Sequence, residues 1–152
     1  MRRIVFILTL IVAACSPNTR KGLNMEPNQL LRQSSDLYRA EPTPPIKSVG
    51  TVFLNARNVR IRYPDGRFEI IPRKEVWGYS NKKGKIFRLY GKTEYEVVTV
   101  GDVITYEQQT TRNVMAGNHP TVTTVIETYY SKTLDSKIFS SRKKALNDLA
   151  RL

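Results

Sequence analysis

Hydrophobic and polar positions alternate in four different ways along this chain. Ile4 to Val12 form an unbroken apolar run apart from Thr9, followed by Ala13, Ala14 and Cys15, and hydrophobicity stops at Ser16-Pro17-Asn18. Residues 16–24, SPNTRKGLN, are polar and rich in turn formers, which predicts a flexible tether. Over residues 25–39, Leu30, Leu31, Leu37 and Tyr38 give a partial apolar stripe that predicts a short helix with Pro27 in its first turn. Three prolines within Ala40 to Ile46 end that helix.

From Val49 to Ser131 the period becomes two. Val59, Ile61 and Tyr63 alternate with Asn58, Arg60 and Arg62, and Pro64-Asp65-Gly66 supplies a turn before Arg67 to Ile71. Glu75 to Tyr79, a turn through Asn81 to Gly84, and Lys85 to Tyr90 repeat the plan. TEYEVVTVGDVITYEQQ predicts two more strands broken at Gly101-Asp102. A polar loop containing Gly117, Asn118 and Pro120 then leads to the β-branched strand TVTTVIETYY. Beyond Ser131, Leu134, Ile138, Ala145, Leu149 and Leu152 recur at helical spacing, with Asp135 or Ser140 as candidate caps. The expected fold is mainly β: a small antiparallel meander, barrel or sandwich of about six to eight strands, with a C-terminal α-helix packed on it. A helix lying on a membrane surface is the rival use of that basic, amphipathic end. The expected organisation is residues 1–14 as a signal peptide, 15–48 as a tether and linker, 49–131 as the β domain and 132–152 as the helix.

Charge changes this picture by adding a surface. Lys and Arg number 25 against 13 Asp and Glu, and two of the basic residues, Arg2 and Arg3, stand in the leader. Much of the excess falls between Arg57 and Lys92, where only Asp65, Glu69 and Glu75 oppose the cations. Such a surface attracts anionic partners in a salt-dependent way, or simply keeps the chain soluble. Tyr63, Phe68, Trp77, Tyr79, Phe87, Tyr90 and Tyr95 interleave with these cations. Stacking and charge on such strands suit sugars or single-stranded nucleic acid, while alternation equally suits rings in the core. The candidate ligand surface is Arg57, Arg60, Arg62, Arg67, Tyr63, Trp77, Tyr79 and Arg88.

The leader bears on compartment. An apolar run this short does not span a bilayer, whereas a cationic start, an apolar centre and small residues before a cut describe a signal peptide. Val12-Ala13-Ala14-Cys15 resembles the lipobox of bacterial lipoproteins of the signal peptidase II type. That resemblance implies cleavage before Cys15, a diacylglyceryl group on its thiol and acylation of the new amino terminus. It also implies that Ser16, in place of an aspartate, directs the chain to the outer membrane facing the periplasm, or to the cell membrane where no outer membrane exists. A buried segment ending in cysteine, and an ordinary leader leaving an odd thiol, are the other readings. An exported chain turns the expected partners from nucleic acid to the membrane itself, other envelope proteins or anionic envelope polymers.

Catalytic chemistry finds little to stand on in the sequence. His119 is the only histidine and Cys15 the only cysteine, too few for a zinc site or a nucleophile with its base. Asp102 and Glu107 lie in no calcium-loop pattern, and Glu94 and Glu96, two apart on a strand, read as ion-pair partners. No catalytic residue, metal or cofactor is expected beyond the lipid on Cys15. Trp77, Gly78, Tyr79, Gly84, Arg88 and Tyr90 resemble a W-G-Y hairpin of exported proteins of unknown function from bacteria with two membranes, a likeness that brings no activity. The expected function is a non-enzymatic, membrane-anchored envelope lipoprotein acting as an accessory or interaction module. The alternative is a binding module for anionic or carbohydrate envelope polymers through the basic and aromatic β surface.

Overall fold

Alternation fixes the faces of most strands in this protein, and two apolar clusters decide how the strands stack. The computed structural model describes residues 20–21, 23, 25–38, 43–52, 55–116 and 119–148. The leader, Cys15, Leu149 and Leu152 lie outside these described residues. The strands are β1 (Arg20–Lys21), β2 (Leu30–Leu31), β3 (Ser48–Val52), β4 (Asn55–Arg62), β5 (Phe68–Pro72), β6 (Gly78–Ser80), β7 (Ile86–Tyr90), β8 (Thr93–Val100), β9 (Ile104–Ala116) and β10 (His119–Ser131). One short helix, α1 (Arg142–Asn147), follows them. The fold is therefore the mainly β, antiparallel class expected, with a C-terminal helix. The larger sheet runs β10-β9-β8-β7-β6-β2, with β1 paired to β8, and β3-β4-β5 form a separate three-stranded sheet.

The first apolar cluster joins the two sheets. Val59, Ile61 and Ile71 from the small sheet pack with Leu30, Ile46, Val76 and Leu89. The second cluster covers the other face of the large sheet, where Ile86, Val97, Ile104 and Tyr106 meet Leu31, Leu37 and Ile138. Each such side chain contributes roughly 1.5–3 kcal/mol by leaving water. Successive residues of a strand point to opposite faces, so adjacent Leu30 and Leu31 of β2 serve one cluster each.

The W-G-Y hairpin, β6–β7, sits between these clusters, and its glycines have steric reasons. A Cβ on Gly78 would run into the carbonyl of Phe87 on the neighbouring strand. Gly84 closes the turn with a positive φ of 74°, which an L side chain resists. Trp77 donates its indole N–H to the Leu134 carbonyl at 3.1 Å and so ties the hairpin to the C-terminal segment.

Three expectations are corrected. Residues 25–38 form no α-helix: a turn precedes β2, and a 3₁₀ segment covers Ser34–Tyr38. Part of the expected tether and linker enters the core, since Leu30, Leu31, Leu37 and Ile46 are buried and β1 adds to β8. Among the described residues the terminal helix covers only Arg142–Asn147, and Thr133 and Ser136 exchange side-chain-to-backbone bonds that hold a turn where the sequence predicts its start. Leu134 and Ile138 still pack on the sheet, and Ala145 of α1 is fully buried, so core packing rather than a free apolar stripe accounts for them. Ser141, rather than Asp135 or Ser140, stands at the N-cap position of α1.

Candidate functional site

The eight residues singled out for a ligand surface part company in the fold. On β4, Val59 and Ile61 face the core, so Arg60 and Arg62 face outward. Arg60 lies 5.3 Å from the ring centre of Phe68 on β5, and Phe68 and Ile70 are both exposed. Arg57 shares the parity of Val59 and lines a cleft on another side. Arg67 pairs with Asp65 in the turn and lies over Tyr63, whose hydroxyl donates to Glu69 at 2.9 Å. Burial, seconded by Glu69, raises the pKa of Tyr63. Tyr79 belongs to the large sheet, stacked on Phe87 at 5.3 Å with its hydroxyl donating to Glu94 at 2.8 Å. Burial, with Glu94 beside it, moves its pKa well above the ordinary phenol value. Only Arg60 and Arg62 thus share one outward face, beside Phe68, one of the interleaved aromatics, and Ile70, which no sequence signal singles out.

Arg88 is 3 % exposed and belongs to the interior. Its guanidinium lies within about 6 Å of the Trp77, Tyr90 and Tyr106 rings. It donates to the Tyr106 hydroxyl at 2.9 Å and the Ser136 carbonyl at 2.8 Å. Tyr106 and Ser131 share a further bond of 2.9 Å, closing a polar network between β7, β9, β10 and the C-terminal turn. Charge here is met by ring faces and dipoles, which makes Arg88 a clasp for the fold.

The most exposed structure lies at the opposite end of β9 and β10. Their ladder runs without a register shift from Ile104↔Ser131 to Ala116↔His119. Pairing of β9 with β8 reaches only as far as Glu107, so from there β9 and β10 continue as a two-stranded arm. Nine further residues carry Ala116 about 30 Å along the strand. Val122 and Ile126 are 66 % and 62 % exposed, and Val114 is 46 % exposed. The sequence pattern predicts a strand ending at Gln109 and a loop holding His119 and Pro120; in the structure β9 continues to Ala116 and both residues belong to β10.

Among the described residues no strand pairs with the outer edge of β10, and that edge can be read residue by residue. Tyr130 exchanges both backbone bonds with Phe139 at 2.7 Å, on the side away from β9. Backbone groups alternate in direction along a strand, so Val122, Thr124, Ile126 and Thr128 also present N–H and C=O outward. Phe139 caps the foot of this edge, and Pro120, which has no N–H, interrupts it near the tip. Glu127 is the only carboxylate on β10, and it is neutralised by Arg112 of β9 at 2.5 Å. Long exposed edges are usually protected by charges, bulges or brevity, and this one has little of that protection.

At the foot of the arm a groove of about 300 Å³ is lined by Lys85, Phe87, Glu94, Glu96, Glu107 and Ile126 among others. Glu96 and Glu107 stand directly opposite each other, and Lys85 offsets their repulsion at 2.6 Å from Glu96. That hydrogen bond to Glu96 raises the pKa of the Lys85 amino group. Among the described residues no group of three or more His, Cys, Asp or Glu side chains is placed to hold a metal ion. No helix among them is long and apolar enough to cross a membrane. Comparison with known proteins returned no match to a family model, to a curated protein or to a solved structure.

Proposed function

We propose that this chain is a lipid-anchored envelope lipoprotein, a non-enzymatic interaction module that engages another polypeptide by strand addition at β10. The observation that carries the reading is the unprotected edge of the arm, with four outward-facing residues from Val122 to Thr128. An isolated two-stranded ribbon is marginal in water, so a partner strand supplies the pairing that this one lacks. The leader and Val12-Ala13-Ala14-Cys15 support export and acylation, with Ser16 favouring the outer membrane. Several acyl chains anchor durably where one alone does not.

Two experiments test the two halves of this proposal. A photocrosslinking residue at Ile126 in intact cells is expected to trap one discrete protein species, and Thr124→Pro is expected to abolish that product. Thr124 points its N–H away from β9, so this substitution removes an outward donor while sparing the β9–β10 ladder. A product unchanged by Thr124→Pro contradicts strand addition; a product of twice the chain's mass identifies the partner as a second copy. For the anchor, Cys15→Ala is expected to end labelling by a fatty-acid analogue, and persistent labelling contradicts it.

A further inference from the structure

A second cavity lies where the small sheet meets the β7–β8 turn, and its lining is strongly cationic. It has a volume of about 580 Å³, in the range of small-molecule sites, and Arg57, Arg73, Lys74 and Lys92 line it beside Leu89 and Pro72. Among the described residues that line it there is no carboxylate. Arg73 follows β5 with the parity of Ile71, so its side chain is carried inward and is only 7 % exposed. Its Nη2 donates to the Thr93 carbonyl at 2.9 Å, but Nε and Nη1 are buried without any acceptor. Ion pairs elsewhere in the protein join Arg32, Arg67, Lys85 and Arg112 to carboxylates, and none reaches Arg73.

A buried guanidinium with one hydrogen bond and two unpartnered nitrogens is costly to fold around. The buried Arg88 shows the contrast, for its charge is met by a hydroxyl, a carbonyl and three rings. Arg73 lacks such compensation and borders an open cleft rimmed by exposed Lys74 and Lys92. The low-dielectric wall formed by Pro72 and Leu89 strengthens the field that these charges set up inside.

We propose that this cleft is an anion-binding site for a phosphate ester, with Lys74 and Lys92 contacting the phosphate and Arg73 supplying a fixed buried charge behind it. The apolar wall gives room for the body that carries the phosphate. Two sources share this chemistry, a free phosphorylated small molecule and the headgroup of a phospholipid. The site is separate from the β10 edge and does not depend on strand addition there.

The full chain is titrated with inorganic phosphate, with glycerol 3-phosphate and with glycerophosphoglycerol, the soluble headgroup of a phospholipid. Amide resonances of Asn58, Lys74, Gly91 and Lys92 are followed by NMR. Saturable shifts with the monoester support a free phosphorylated ligand, and shifts with the diester alone support a headgroup. In either case Lys74→Ala with Lys92→Ala, both at exposed positions, is expected to weaken binding about tenfold or more. Arg73→Met is expected to abolish the rise in Tm that the bound phosphate ester produces. No saturable shift with any of the three, shifts that survive the double lysine variant, or a Tm response that survives Arg73→Met overturns the proposal.

Discussion

The two halves of the β9–β10 ladder share one register and lead opposite lives. In the lower half, Tyr106 and Ser131 are fully buried, Tyr129 packs against Tyr95 at 5.1 Å, and Arg88 links the strands to the C-terminal turn. In the upper half, Thr111 to Val114 and Thr121 to Thr124 are exposed. Hydrogen bonding between the strands is common to both halves, so backbone pairing alone does not explain why one is core and the other surface. Side-chain burial makes the difference: the lower half belongs to the folded body, and the upper half projects from it with both faces exposed. The arm's structure is thus stabilised from its base.

The largest effect expected from this comparison is at the base. Tyr106→Ala removes a fully buried ring and leaves Arg88 without one of its acceptors, so a loss of about 3–5 kcal/mol is expected in urea unfolding. A loss below about 1 kcal/mol would make the base no more integral than the arm.

An intermediate effect follows from the buried phenols of the body. Burial raises the pKa of Tyr79, with Glu94 as a second cause, and burial also raises that of Tyr106. A raised folded pKa means that the protonated form is favoured by folding. Stability from these groups is therefore complete below about pH 10, the unfolded value, and falls as pH climbs toward the folded values. Tyr79→Phe is expected to flatten the fall of the urea midpoint above about pH 10, and an unchanged slope would contradict the assignment. The smallest effect is expected in the arm, where Ile126→Ala should change stability by less than about 0.5 kcal/mol, as a surface position does. A larger cost would show that the arm folds back on the body.

The same contrast explains what could be read from the sequence. Period-two alternation registers burial of one face, so β4–β5 with its Pro64-Asp65-Gly66 turn and the β6–β7 hairpin were both legible. The arm was not, because Thr110, Thr111, Arg112 and Asn113 bury neither face and show no alternation. Leu30 and Leu31 suggested a helical stripe, but these neighbours enter separate clusters on opposite sides of a two-residue strand. Leu134 and Ile138, four apart, mimicked a helix that side-chain bonds of Thr133 and Ser136 replace with a turn. For the ligand residues, charge was legible and direction was not. Arg88 looked like a surface cation and is buried, while Arg73 was one cation among many, its parity with Ile71 the only sign of burial.

Amide hydrogen exchange of β10, compared between purified protein and the envelope fraction of cells that make it, decides whether a partner strand covers the edge. In the purified protein, Val122, Thr124, Ile126 and Thr128 are expected to exchange fast, while the inward amides of Thr123, Val125 and Glu127 exchange slowly. In the envelope, the outward set is expected to slow by about tenfold or more as a partner strand covers the edge, with the inward set little changed. Outward amides that exchange equally fast in both settings would contradict strand addition at β10.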